Sequence, residues 1–182
     1  MTDLRSLILL AACSLPIPAL AVHTHVYGQA KLHVAVDGAG IAIHLDSRLD
    51  SLLGFEHPPY DSQQVKAAEA MVARLRAAQD LFVASPAANC KLTGVKIEAG
   101  AIPATLLAGG TAMPAKPGRQ QADHDDLDAD FNLRCARPEA LHAIDVRLFD
   151  AFPRLRGVDV QMISPRGQTV QRVTPDQRML AW

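Results

Sequence analysis

The chain has 182 residues, a formal net charge of −1 and 20% charged residues, a composition typical of a globular protein with a hydrophobic core. The near-neutral balance excludes the strongly basic surface of a nucleic-acid-binding protein and the charge blocks of a polyanion-binding protein. We therefore expect no nucleic-acid partner.

Residues 1–21 have the pattern of a cleaved export signal. Arg5 precedes an apolar run over 7–15, and Ala19-Leu20-Ala21 has the small-x-small form of a signal peptidase site. The run is too short to cross a bilayer, so we expect no stable membrane span. Cleavage would leave residues 22–182 in the periplasm, a length that suits one domain.

Two other interpretations of this segment remain open. Leu10-Ala11-Ala12-Cys13 fits a lipoprotein pattern, in which Cys13 would be acylated and become the first residue, although the hydrophobic region would then be short. A core helix is the second alternative, although Pro16 and Pro18 would interrupt it.

Cleavage after Ala21 leaves Cys90 and Cys135 as the cysteines of the mature chain. In an exported protein such a pair is most simply a disulfide. It would close a loop of about 45 residues and stabilise the fold by roughly 4 kcal/mol in the chain-entropy model. Two unpaired buried thiols are the alternative. Without a CxxC spacing, a thiolate zinc site or a redox motif has little support.

Two alternating stretches joined by Asp37-Gly38-Ala39-Gly40 predict a β-hairpin over residues 27–45. Pairing Val36 with Ile41 sets its register. The pairs that this register places in opposition are Val34 and Ile43, Lys31 and Asp46, and His33 and His44. Opposed side chains lie about 5 Å apart at Cβ, so the two imidazoles could share a metal ion on the outer face. Two solvated strand histidines are the alternative.

The main helix is predicted over residues 62–82. Asp61 and Gln64 form a capping-box pattern ahead of it. Its apolar residues recur at helical spacing, as expected for a face packed on the core; they are Val65, Ala68, Val72, Leu75 and Phe82.

A second strand pair is predicted between residues 90–98 and 127–135. The apolar alternation of the first strand changes parity at Gly94, where a β-bulge would restore one face. Antiparallel pairing then places Cys90 beside Cys135 and Ile97 beside Leu127, so the pairing and the disulfide support each other.

Residues 99–125 are rich in proline, glycine and alanine and predict a long mobile loop. The end of this loop places His124 among Asp123, Asp125 and Asp126. Such a mixed cluster could bind zinc or a harder divalent ion, and an acidic solvated loop is the alternative.

The rest of the chain alternates in short runs over 144–148, 158–163 and 168–173, with turn chemistry at Ser164-Pro165-Arg166-Gly167. About seven strands and one main helix predict a single α+β domain, with a mainly antiparallel sheet and a helix packed on one face.

Several motifs in a fixed order resemble one protein family, the ZrgA-like zinc-regulated periplasmic proteins. They are AKLHVAVDG from residue 30, LLGFEHPP from 52, AANC from 87, DFNLRC from 130, LFDAFP from 148, and VQ followed by PRGQ from 160. The resemblance covers almost all of residues 22–182. It implies a periplasmic zinc-binding protein that aids zinc acquisition beside an ABC-type importer or its periplasmic binding protein, without being an enzyme.

The chain departs from the family pattern at two places. The leading His-x-His-Gly of the family falls on His25-Val26-Tyr27-Gly28, so one expected imidazole is Tyr27 here. The histidine-rich loop of the family is represented by His124 alone. Both departures reduce the expected number of bound ions.

Five of the seven histidines lie between residues 23 and 57, which favours zinc binding through imidazoles. Neutral imidazole is required, so the affinity should fall below about pH 6.5. Because they lie in the segments that carry the resemblance, His25 and His57 are the first candidates. The further candidates are His23, His33, His44, Glu56 and His124.

Three further interpretations concern copper, metal-free binding and catalysis. A mature chain that starts Val22-His23-Thr24-His25 would offer its amine, an amide and an imidazole to copper(II), although a mobile tail is the alternative. A metal-free β-rich binding module also remains open. No catalytic motif is complete, and Glu56 beside His57 is a weak acid–base hint, so we expect no enzyme.

Overall fold

In a computed structural model, the described residues are 27–115 and 126–182. The strands are β1 (Gln29–Asp37), β2 (Gly40–Arg48), β3 (Phe82–Ala84), β4 (Cys90–Ala99), β5 (Asp126–Cys135), β6 (Ala143–Val146), β7 (Gly157–Ser164), β8 (Gly167–Val173) and β9 (Met179–Ala181). The helices are α1 (Leu49–Leu53), α2 (Ser62–Arg76), α3 (Ala78–Leu81), α4 (Ala104–Leu107) and α5 (Leu148–Ala151). Single 3₁₀ turns cover Pro86–Ala88 and Pro138–Ala140.

The strands form two sheets. The larger has the order β4-β5-β2-β1-β7-β8, and the smaller has the order β3-β6-β9. All neighbouring strands are antiparallel except β1 and β7, which run parallel. The predicted α+β class is therefore confirmed. Instead of the predicted seven or so strands in a mainly antiparallel sheet, the described residues form nine strands, six in a mixed sheet and three in a smaller one. Alternation along one strand reports which face is buried and carries no information about the direction of its partner.

One face of the larger sheet carries the core. Along β1, Leu32 and Val34 are buried, whereas Lys31 and His33 between them are exposed. The inward residues of the sheet and the apolar stripe of α2 belong to one hydrophobic cluster. The opposite face of β1, β2, β5 and β7 is largely exposed to solvent, and we call it the open face.

The main helix is shorter than the predicted 62–82. It begins as expected, because the Asp61 side chain accepts a hydrogen bond from the Gln64 amide at 2.8 Å. It ends at Arg76, and after one turn of α3 the chain enters β3 at Phe82. There Phe82 is buried against Phe131, with ring centroids 5.2 Å apart. Long-range packing has overridden the helical spacing that included Phe82 in the stripe.

The hairpin and the bulged strand pair follow the predicted alternation. All the predicted oppositions of β1 and β2 are present, including His33 with His44. The register of β4 against β5 shifts between Leu92 and Gly94, as predicted. The predicted opposition of Ile97 and Leu127 is wrong: the extra residue of the bulge lies in β4, which shifts the register so that Ile97 lies opposite Ala129.

A disulfide joins Cys90 to Cys135, which are opposite residues of β4 and β5. This confirms the pairing that the cysteine count and the strand alternation predicted. The bond ties the edge strand β4 to the interior of the sheet at the end remote from Asp126.

Residues 99–115 of the segment predicted as a loop include α4 and the buried side chains of Ile102 and Leu106. The Arg76 guanidinium donates a hydrogen bond to the Leu107 carbonyl, so α2 holds this turn. The remainder of the predicted loop, with His124, lies outside the described residues. Within the described ranges, no helix has the length and apolar character needed to cross a membrane.

Candidate metal centre

The loop that follows α1 holds the His57 ring in a defined orientation. Its Nδ1 lies 3.0 Å from the Pro58 carbonyl oxygen, which can only accept a hydrogen bond, so Nδ1 carries the proton. The ring stacks on Tyr60 with centroids 4.3 Å apart and planes inclined by 4°, and on Phe55 with centroids 5.1 Å apart. The other nitrogen, Nε2, therefore keeps its lone pair for a ligand.

The two ends of this loop are tied to regular structure. Gly54 caps the end of α1 directly after Leu53, with the left-handed φ of 86° that glycine adopts readily. At the other end, the Tyr60 amide donates to the Gln64 side chain at 2.7 Å. The Glu56 carboxylate forms an ion pair with Arg48 at the end of β2. These contacts make the loop a rigid support for the imidazole.

Ala115 and Asp126, the described residues that flank 116–125, both lie at the end of the sheet that carries this loop. The Ala115 amide donates to the Pro59 carbonyl oxygen at 2.7 Å. At the other side Asp126 begins β5 opposite Arg48. The contacts of Ala115 and Asp126 thus bring the chain on either side of that segment to the end of the sheet where His57 lies.

The start of β1 lies at the same end of the sheet. The Gly28 amide donates to the Ser51 hydroxyl of α1 at 3.1 Å, in a buried contact. His23 and His25 precede Gly28 in the chain and lie outside the described residues. The predicted export signal over 1–21 and the predicted copper chelate at Val22 lie outside them as well.

The second histidine site is on the open face. The rings of His33 and His44 have centroids 6.0 Å apart and an interplanar angle of 39°. His44 contacts two carboxylates: Nδ1 lies 2.8 Å from Asp130 Oδ1, and Nε2 lies 3.4 Å from Asp128 Oδ1. Both nitrogens of His44 are therefore occupied, and a metal ion at this ring would have to displace a carboxylate.

Asp128 is the acidic group of this face with a shifted pKa. Partial burial raises the pKa of Asp128 above its usual value, the nearby His44 opposes the shift, and Asp46, Asp126 and Asp130 add to it. Lys31 lies 3.1 Å from Asp46 and balances one of these charges.

The sequence reasoning identified the two imidazoles of this face but missed Asp128 and Asp130 as partners of His44. Extending the hairpin register from β2 to β5 would have found them, because Asp130 lies directly opposite His44. The stacking of Phe55 and Tyr60 on His57 has no periodic signal in the sequence. Within 27–115 and 126–182, no three histidine, cysteine, aspartate or glutamate side chains are placed to hold a metal ion.

The two histidine sites lie in an α+β domain with one open sheet face. Comparison with protein families identifies the family of the chain. Residues 24–182 match the family model described as ZrgA family zinc uptake protein. The chain therefore belongs to the ZrgA family, as the resemblance of its motifs predicted. No curated protein sequence matches it.

Proposed function

We propose that this chain is a non-enzymatic zinc-binding protein of the periplasm that aids zinc acquisition. The family is one of zinc uptake proteins, which supports zinc as the cargo. The observation that carries the proposal is the His57 ring, whose Nδ1 proton is committed to the Pro58 carbonyl oxygen and whose Nε2 is left for a metal ion. In histidine ligands of zinc, the N–H group of the second ring nitrogen typically donates a hydrogen bond to a backbone carbonyl or carboxylate in this way.

Zinc takes four ligands in a tetrahedral arrangement, so His57 needs partners from other segments. Two other segments carry histidines, one before Gly28 and one after Ala115. Gly28 is hydrogen-bonded to α1 and Ala115 to Pro59, so both segments adjoin the end of the sheet where His57 lies. We infer that His25 is the first partner of His57, with His23 and His124 completing the ligand set.

The other predicted ligands have secondary roles in this proposal. Glu56 is held by Arg48 and supports the loop. His33 and His44 form a weaker site on the open face, because Asp128 and Asp130 compete for the nitrogens of His44. A metal ion at His44 would first have to displace one of these carboxylates.

The cellular part of the proposal rests on the export signal over residues 1–21 and on the family. Zinc bound in the periplasm must be passed to an importer, and we propose an ABC-type zinc importer or its periplasmic binding protein as the partner. Loss of the gene should therefore impair growth under zinc limitation and leave growth in zinc-replete medium unchanged.

The direct test is zinc affinity and stoichiometry of the purified mature protein, measured by competition with a chromophoric chelator and by metal analysis after dialysis. His57→Ala and His25→Ala should each weaken zinc binding by at least about tenfold, because even groups that only orient a ligand contribute this much. The matched control is His142→Ala, which removes an exposed histidine whose Nδ1 lies 2.9 Å from the Ala140 carbonyl oxygen.

The zinc affinity of His142→Ala should lie within about twofold of the parental affinity, because His142 is not a ligand in this proposal. A parent protein that binds no zinc would instead support a metal-free binding module. Zinc affinity unchanged in the His25/His57 double alanine variant would remove the ligand assignment while leaving the family membership intact.

A further inference from the structure

A cavity of about 380 Å³ lies where β1 begins and α1 ends, and two arginines form one of its walls. The segment that carries Arg154 and Arg156 crosses the start of β1. The Arg156 amide donates to the Gly28 carbonyl oxygen at 2.8 Å, and the Gly28 amide donates to Ser51 on the facing helix. The backbone on both sides of the cavity is therefore held by hydrogen bonds.

The arginines pack against two glycines, where any other residue would place a side chain in the same space. At Gly54 a Cβ atom would lie 2.6 Å from Cζ of Arg154, so the guanidinium group rests directly on the glycine backbone. At Gly28 a Cβ atom would lie 2.8 Å from the Arg154 carbonyl oxygen and 3.3 Å from Cγ of Arg156. Both glycines also have positive φ angles, 86° and 73°, which disfavour other residues.

Neither guanidinium group of this wall has a partner among the residues that the structure describes. Arg154 and Arg156 make no hydrogen bond and no ion pair through their side chains there. Arg172, near the same end of the sheet, differs: it lies over Gly157 and contacts Asp159 at 3.2 Å as well as the Gln29 side chain. Arg172 is therefore neutralised by the protein itself, whereas Arg154 and Arg156 are left for an external anion.

The acidic residue of the cavity does not neutralise this wall. Asp50 lines the cavity, but its Oδ2 atom is shielded from solvent and its Oδ1 atom lies 3.5 Å from Nε of Arg48. The charge that faces a small ligand is consequently positive.

We propose that this cavity binds a small oxyanion, a carboxylate or a phosphate, through Arg154 and Arg156. Planar guanidinium groups pair with carboxylate and phosphate oxygens through two parallel hydrogen bonds, and they are the usual residues at such sites. Gly54, which lines the cavity, lies three residues before His57 in the chain, and none of the lining residues is a ligand in the proposed zinc centre. Binding of the oxyanion can therefore be measured on the zinc-free protein.

Titration calorimetry on the zinc-free mature protein at low salt should detect phosphate or citrate binding, with chloride as the negative probe. Arg154→Gln and Arg156→Gln should each weaken the binding by about tenfold, the loss of one charge-assisted hydrogen bond. The double variant should abolish it. Rising sodium chloride should weaken it in the parent, since exposed charges are screened.

Arg166→Gln is the matched control, because it removes an exposed positive charge in the β7–β8 turn, at the opposite end of β7 from Gly157. It should bind the anion as the parent does. A parent that binds neither phosphate nor citrate at 10 mM, roughly the weak limit of a specific small-ligand site, would overturn the proposal. So would a folded Arg154/Arg156 double variant with unchanged affinity, with folding checked by circular dichroism.

Discussion

The ring of Tyr60 lies parallel to the ring of His57, with centroids 4.3 Å apart and planes inclined by 4°. Tyr60 is itself fixed by the hydrogen bond from its amide to Gln64 in the first turn of α2. The orientation of one imidazole thus depends on how a neighbouring helix begins. If His57 is a zinc ligand, residues that never touch the metal should control its affinity.

Tyr60→Ala should lower zinc affinity by about tenfold, because the imidazole then loses the ring that fixes its orientation. Tyr60→Phe keeps the stacked ring and should retain parental affinity. Competition with a chromophoric chelator measures both variants under the same conditions. Equal affinities for Tyr60→Ala and the parent would show that stacking has no part in metal binding.

Asp128→Asn should raise the melting temperature at pH 7. Burial raises the pKa of Asp128 in the folded protein, so the folded state favours the protonated form and ionisation above that pKa destabilises it. The stabilisation by asparagine should therefore shrink as the pH falls below the raised pKa of Asp128, because the carboxyl group is then protonated in the folded protein and is neutral like asparagine. Melting curves at several pH values measure this trend.

Asp159→Asn is the control for this pH effect. Asp159 is also an exposed acidic residue of the open face, but it is paired with Arg172 at 3.2 Å. Its replacement should leave the melting temperature unchanged or lower it slightly at pH 7. A lower melting temperature for Asp128→Asn at pH 7 would mean that the contact with His44 outweighs the effect of burial.

Removing the disulfide should lower the free energy of unfolding by about 2–5 kcal/mol, because the unfolded chain regains the entropy that the cross-link restricts. The Cys90→Ala/Cys135→Ala double variant and the reduced parent should unfold at similar denaturant concentrations. In addition, protein isolated without a reductant should be two hydrogens lighter than its reduced form. Free thiols at Cys90 and Cys135 in that material would contradict the pairing in the structure.

Phe131→Ala should destabilise the fold by about 3–5 kcal/mol, since it leaves a cavity at a fully buried ring. Phe131 packs on Phe82 and so connects the larger sheet to the start of β3. The control is Ile163→Ala on the open face, where the side chain is 56% exposed and the change should stay within about 0.5 kcal/mol. Chemical denaturation of the two variants measures the difference.

The sequence predicted part of the histidine site on the open face. Alternation and turn chemistry were sufficient to place His33 opposite His44, because a two-strand register is fixed by neighbouring residues of one hairpin. The acidic partners of His44 come from β5, whose position beside β2 depends on a pairing across 86 residues of chain. The residues of the hairpin carry no signal of that pairing.

Local alternation and composition were sufficient to predict the α+β class, the hairpin register, the bulge near Gly94 and the pairing of Cys90 with Cys135. The parallel direction of β1 and β7, the end of α2 at Arg76 and the position of His57 between two aromatic rings all depend on long-range packing. Periodicity records whether a side chain faces the core. The partners that it meets there, and the direction from which they arrive, are set by the packing of the whole chain.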